Sequence, residues 1–406
     1  MGWTRAQINV VIAAYLGWTL DAFDFFLMVF VLKDIAAEFN TGIPAVAVAI
    51  TLTLAARPLG ALIFGKLADK YGRRPTLMLD VGLYSILELL SGFSPNLTTL
   101  LVLRFLFGIA LGGEWGVGTA LAMETVPPRA RGFVSGLLQA GYPSGYLLAS
   151  IVFGTLYSHI GWRGMFFVGV IPALLVLYIR TSVPESPAFE AMAKKPRPGL
   201  LATFKRNWVL SIYCIVLMTA FNFFSHGTQD LYPTFLREQH HFDPHTVSII
   251  VIMLNIGAII GGLTFGSLSE KLGRRRAICI AALIALPVIP LWAFSSGVLA
   301  LALGAFLMQI SVQGAWGVIP VHLNEISPEA IRATFPGLVY QLGNLLASVN
   351  ATVQASYAVA NGNNYGQALA VVGGSAAVAI AVLIWFSREQ HGIDMTHAAE
   401  RVAAAH

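Results

Sequence analysis

The chain has 406 residues, 56% of them hydrophobic and only 11% charged, with a mean hydropathy of +0.72. A soluble globular chain carries about a quarter charged residues, so the composition argues against a cytosolic enzyme. The net charge of +5 is modest and its basic residues sit in short loops, which argues against nucleic-acid binding. Cys214 and Cys279 both lie in apolar stretches, so neither a disulfide framework nor a metal site is expected, and no cofactor is implied.

The N-terminal segment through Arg5 runs into an apolar stretch longer than a signal-peptide core, with no small-x-small cleavage site; it is expected to stay as the first span. A membrane helix needs about 20 mainly apolar residues. In chain order the apolar runs predict twelve spans, at 8–32, 43–68, 75–94, 98–122, 132–157, 162–182, 207–236, 244–269, 276–296, 298–323, 333–357 and 366–386. The expected fold class is therefore an all-α membrane protein of twelve transmembrane helices. The one long loop, 186–206, is polar and Pro-rich. It separates a six-helix half at 1–185 from a second at 207–387, followed by a tail at 388–406. With the N-terminus inside, 20 Lys and Arg fall in inner segments and three (Lys33, Arg163, Arg237) in outer loops. That bias predicts cytoplasmic termini in a cell membrane.

A repeat joins the halves. Gly65, Asp69, Gly72, Arg73 and Arg74 between spans two and three recur as Gly266, Glu270, Gly273, Arg274 and Arg275 between spans eight and nine, at an offset of 201. The same offset carries Trp115, Glu124 and Arg131 onto Trp316, Glu325 and Arg332, and Asp21 onto Asn222. Six spans repeated in one orientation place two parallel halves around an axis along the membrane normal, with a site between them near the midplane. The Gly-x-x-x-Asp-x-x-Gly-Arg-Arg loop, present twice, resembles the signature of the major facilitator superfamily. That resemblance implies a gating role for Gly65, Asp69, Gly72, Arg73, Glu124, Arg131, Glu270, Arg274, Glu325 and Arg332; simple positive-inside anchoring is the plainer reading of the arginines.

Charges inside spans cost about 3 kcal/mol or more at the bilayer centre and usually face a cavity or a partner. Arg57 lies about 21 Å along span two from its outer start and about 17 Å from its inner end. A guanidinium at that depth either anchors an anionic substrate or pairs permanently with a nearby acid. Asp21 and Asp24 share a face of span one. Glu114 and Arg104 lie in span four. Asp24 with Arg104 is the first proton-coupling candidate, Glu114 the second and Asp21 the third; a static ion pair is the other reading. Asp80 and Glu88 in span three receive no role.

In span seven, Asn222, Ser225, His226 and Gln229 follow i, i+3, i+4, i+7 and form one polar stripe. Such a stripe marks a pathway or a helix–helix hydrogen-bond network. Together with Thr228, Asp230 and Thr234 it resembles the Asn-x-x-Ser/Thr-His-x-Ser/Thr-Gln-Asp-x-x-x-Thr signature of the lactate permease group within the sialate:proton symporter family. Span five from Ser135 to Ala149 and the pair Gln341 and Asn344 in span eleven are similar to that group too. The resemblance implies substrate recognition and transport roles for His226, Asp230, Arg57, Gln341 and Asn344. Sialate members of the family carry extra spans in the middle, and only a polar linker stands here, which speaks against sialic acid. Regulation through long tails, as in fungal members, is not expected. The partners implied are a small organic anion, a proton and the lipid bilayer, the chain acting as a monomer. An aromatic acid or a dicarboxylate is the rival cargo, and a non-transporting nutrient sensor the rival class.

Overall fold

The computed structural model describes residues 3–125, 134, 137–185, 205–327 and 335–389. Every regular element among them is an α-helix, as expected where no water can satisfy backbone polar groups. α1 (Arg5–Phe30) opens on a capping box, in which the Thr4 hydroxyl accepts from the Gln7 amide and the Gln7 side chain accepts from the Thr4 amide. α2 (Leu32–Glu38) extends it past a break at Val31. α3 (Ile43–Tyr71), α4 (Arg73–Gly92) and α5 (Leu97–Thr125) follow, then α6 (Gly141–Val168) and α7 (Ala173–Ser182). The second half runs α8 (Trp208–Gln229), α9 (Tyr232–Glu238), α10 (Pro244–Leu272), α11 (Arg274–Ala293) and α12 (Val298–Ile326). It ends with α13 (Phe335–Ala347), α14 (Asn350–Ala360) and α15 (Tyr365–Trp385).

Nine helical stretches among the described residues are long and apolar enough to cross a membrane. The other three of the twelve spans have separate physical reasons for falling short. The 46-residue stretch Leu137–Ser182 holds two spans, broken at Gly161, whose φ of 64° no helix accommodates. In α4, Asp80 and Glu88 depress the hydropathy. The eleventh span is not one helix, as the apolar run suggests, but two short ones, α13 and α14, separated around Ser348 and Val349.

The repeat governs the backbone residue by residue. The bounds of α3, α4 and α5 map onto those of α10, α11 and α12 at the same offset of 201. Left-handed backbone falls at Asn40 and His241 (φ 50° and 56°), at Gly72 and Gly273 (108° and 84°) and at Gly161 and Gly362 (64° and 70°), three pairs at that offset. Gly72 and Gly273 reverse the chain between long helices within one residue, a conformation that carries little penalty only without a Cβ.

Between the halves, α6 packs on α10, and α3 packs on α13 and α14. Within the first half, Gly112 lets α5 approach the backbone of α3 at Arg57: a Cβ there would stand 2.0 Å from the Arg57 carbonyl oxygen. Outward faces such as Leu59, Leu62 and Ile63 of α3 are exposed and apolar, as a lipid-facing surface requires. The expected linker lies outside the described residues except for Glu185 before it and Lys205 and Arg206 at its end.

Candidate transport pathway

Arg57 projects from the middle of α3 and is buried. Its Nη2 donates to Asp21 Oδ1 at a long 3.4 Å, while its Nε has no hydrogen-bond partner. The guanidinium lies 5.6 Å from the Phe25 ring centroid and within electrostatic reach of Tyr142 from the first half and of Tyr340 and Asp230 from the second. Both readings of Arg57 thus have a structural counterpart: an acid is beside it, yet the contact is long and the Nε has no partner.

His226 Nδ1 lies 3.0 Å from Asp230 Oδ2 and 3.1 Å from Oδ1, a pairing one helical turn apart in α8 and its C-terminal continuation. Phe25 packs edge-on against the His226 ring at 5.8 Å, so one aromatic side chain touches both Arg57 and His226. The polar stripe of α8 is buried throughout, but its members diverge. Asn222 donates to the Met218 carbonyl of its own helix, leaving Oδ1 without a partner. Gln229 turns into the second half and donates to Gln309 Oε1 at 2.7 Å, and Gln309 donates to Thr228 at 3.1 Å. Asn344 donates to Gln341 at 3.1 Å on α13, and the Tyr340 hydroxyl lies beside Asn344 and Arg57. The stripe is therefore part pathway and part helix–helix network. Gln309 and Tyr340 lie outside the residues the sequence singled out, and Tyr142 lies in the span-five stretch without a role of its own; for Gln309 the available signal was an amide, with Gln313 one turn on, in the apolar middle of span ten.

A second cluster is wholly inside the first half. Arg104 donates through Nη1 to Glu88 Oε2 at 2.5 Å, and both are fully buried. The expected Asp24–Arg104 pair is not formed: Arg104 is held by Glu88, and neither oxygen of buried Asp24 has a hydrogen-bond partner. The reason is packing, since α4 presents Glu88 to α5 directly. Further along, Glu114 packs on α1 where Gly17 leaves room, with its Oε1 only 2.1 Å from the point a Cβ would occupy. Tyr84 faces Glu114, and Asp80 lies beyond with both oxygens unpartnered.

The repeated loops share one device. The Glu185 carboxylate accepts from the amides of Arg73 and Arg74 at 3.0 and 3.3 Å, and Glu389 accepts from Arg274 and Arg275 at 3.2 and 3.0 Å. Each caps the bare N-terminus of the helix after the glycine. Arg274 also donates to Ser269, Glu270 and Glu325, at 2.6, 2.8 and 3.2 Å, tying α10 and α11 to α12. Arg73 donates to the Ala68 carbonyl at 2.9 Å. A Cβ at Gly65 would meet nothing within 4 Å, so packing does not demand glycine there. The side chains of Asp69 and Glu124 and the whole of Arg131 and Arg332 lie outside the described residues.

At the opposite end the halves are pinned to each other. Asp34 accepts from Arg237 at 2.7 Å and from the Tyr157 hydroxyl, and Lys33 pairs with Glu238 at 2.7 Å. Deeper along the same seam, the hydroxyls of Thr51 and Thr352 meet at 2.8 Å, Tyr146 donates to the Gln229 carbonyl at 3.2 Å and Ser248 donates to the Ser150 carbonyl. Nearby, a hydrogen bond from Arg163 holds the Glu38 carboxyl below the usual carboxylate range.

The model of the Major Facilitator Superfamily matches residues 12–229, more than half of the chain, and the Sugar (and other) transporter model matches residues 201–389. The chain belongs to the Major Facilitator Superfamily. It is a membrane transporter of that superfamily and not an enzyme. A carboxylic acid transporter protein homolog of Saccharomyces cerevisiae is 30% identical over 86% of this chain, which spans 61% of that protein. A sialic acid transporter of Escherichia coli is 31% identical, covering 86% of this chain and 88% of its own length. A cis,cis-muconate transport protein of Acinetobacter baylyi is 27% identical over 93% of both. Among solved superfamily structures, a partially occluded, inward-open xylose transporter of E. coli superposes with a TM-score of 0.75, covering 96% of this chain and 100% of that one. At 19% identity that likeness is one of fold.

Proposed function

We propose that the protein is a proton-coupled symporter of a small monocarboxylate such as lactate or pyruvate, working by alternating access between its two halves in a cell membrane, with both termini cytoplasmic. The observation that carries the reading is Arg57: a buried guanidinium whose Nε has no hydrogen-bond partner, contributed by one half, within reach of Asp230 and Tyr340 of the other and sharing Phe25 as a neighbour with His226. A carboxylate accepting from that Nε makes a charge-assisted contact, and becomes two-pronged if it also takes over the nitrogen now loosely on Asp21. His226, Gln341 and Asn344 supply hydrogen bonds to its second oxygen or to a neighbouring hydroxyl or keto group. Asp21 keeps Arg57 oriented and limits its attraction for the anion, so that release stays possible. Binding an anion together with a proton moves no net fixed charge through the bilayer, and a ligand drives a conformational change only by its differential affinity for the two states. The relatives named for carboxylic acid and muconate transport support an organic acid as cargo.

An unsaturated or aromatic acid is the second reading, favoured by Phe25, Tyr142 and Tyr340 around Arg57. The sialic acid transporter that aligns over 88% of its own length removes the argument from missing middle spans, so sialic acid also belongs among the competitors. The test is uptake of labelled lactate by purified protein in liposomes. An inward proton gradient is expected to accelerate it, and unlabelled acids of two to nine carbons, with sialic acid, rank the cargo by competition. No effect of the gradient on any acid sinks symport.

A further inference from the structure

The cluster of Asp24, Glu88 and Arg104 stands apart from Arg57 and is not explained by cargo binding. Two carboxylates and one guanidinium, all at zero exposure, carry a net charge of −1 when ionised. An uncompensated charge in such a setting costs several kcal/mol, and one added proton makes the cluster neutral. We propose that Asp24 and Glu88 form a single proton-binding site in which the two carboxylates share one proton beside a fixed Arg104, and that this site sets a stoichiometry of one proton per anion. The proposal rests on the symport reading and deepens it.

Three features of the geometry support it. Arg104 is clamped, its guanidinium 3.9 Å from the Phe107 ring centroid and 5.7 Å from that of Phe166, so it stays while its partner changes. It uses one nitrogen, on Glu88, and its Nε and Nη2 are unpartnered. Both Asp24 oxygens and Glu88 Oε1 are unpartnered as well. The two acids are neighbours across Gly169: a Cβ there would lie 2.4 Å from Glu88 Cγ and 3.2 Å from Asp24 Oδ1. The charged groups that face Asp24 are Glu88 from α4, Arg104 and Glu114 from α5, and Asp21 from its own helix. Asp21 already has Arg57 beside it, so Asp24 and Glu88 share Arg104 as their cation, and one proton brings those three groups to neutrality.

The site also has a route to the cargo. Asp24 is followed by Phe25, which touches Arg57 of its own half and His226 of the other. A turn of α1 that moves Asp24 between Arg104 and a protonated, unpaired state moves Phe25 against the interface. Removing one negative charge from the first half also raises its attraction for an anion at Arg57, and by linkage the anion raises proton affinity by the same factor.

The test is a pair of near-isosteric neutralisations, Asp24→Asn and Glu88→Gln, in liposomes. Either leaves one acid with Arg104, a permanently neutral cluster, so both are expected to give the same phenotype. Accumulation against a cargo gradient falls about tenfold or more while cargo exchange, which moves no net proton, persists, because the proton no longer distinguishes the two states. The pH dependence of cargo affinity flattens in both. If Glu88→Gln accumulates cargo like the wild type, or only Asp24→Asn uncouples, the shared site is wrong while symport stands. If the wild-type protein ignores the proton gradient, the symport reading itself fails. Independently of any variant, the cargo gradient that just balances a known pH gradient across the wild-type protein is expected to give one proton per anion, and a ratio of two overturns the proposal.

Discussion

Three long helices of each half share their bounds at one offset, yet the interiors of the halves differ. In the first, Asp21, Asp24, Asp80, Glu88 and Glu114 are buried with Arg57 and Arg104. In the second, the span interiors hold amides, hydroxyls, His322 and the His226–Asp230 pair; Asp21 has become Asn222, and Arg104 has become Ala305. Backbone geometry therefore does not decide where charge goes. An excess of buried acids suits a half that takes up and releases protons, whereas amides, which keep their hydrogen-bonding capacity at any pH, suit a half that recognises polar atoms of a cargo. Arg57 belongs to the acid-rich half and lies within reach of Asp230 and Tyr340 of the other.

The most severe test of that division is Arg57→Ala. It is expected to weaken carboxylate binding by about 3 kcal/mol, roughly a hundredfold, since truncating a buried charge partner costs about 2–5 kcal/mol. Binding isotherms on purified protein measure it, and retained affinity would make Arg57 an internal partner of Asp21. His226→Ala comes next. It is expected to lower uptake about tenfold with normal amounts of protein in the membrane, as befits one lost hydrogen bond to a charged group; loss of the protein instead would assign His226 to the fold. Asp34→Asn probes the pinned end, where the pairs are partly exposed and weak. Labelling of a cysteine introduced by Thr352→Cys is expected to rise by about fivefold, the upper range for such a pair. Gln309→Leu should be the mildest, because an interhelical amide contact in a membrane contributes only about 0.6 kcal/mol. A small change in uptake with unchanged pH dependence is expected, and a loss of proton drive would break the division between the halves.

Much of this molecule is legible along the chain. Apolar run lengths determine twelve spans because a bilayer has one thickness, and the offset of 201 determines two parallel halves because equal sequence imposes equal backbone, down to the paired left-handed residues. Arg57, His226 and the buried acids stand out because charge in hydrocarbon is costly wherever it falls. Their partners are another matter. Arg104 could meet Asp24 or Glu88 at nearly equal depth, and only the packing of α4 on α5 assigns it to Glu88. Glu185 and Glu389 follow the last turns of spans six and twelve without any local mark, and become caps only where Gly72 and Gly273 bring bare amides to them. Gln309 and Tyr340 acquire neighbours only when distant helices are placed side by side. The sequence by itself determined which residues are costly to bury; the tertiary structure decided which of them share that cost, because a helix fixes depth and face while only its packing fixes the partner.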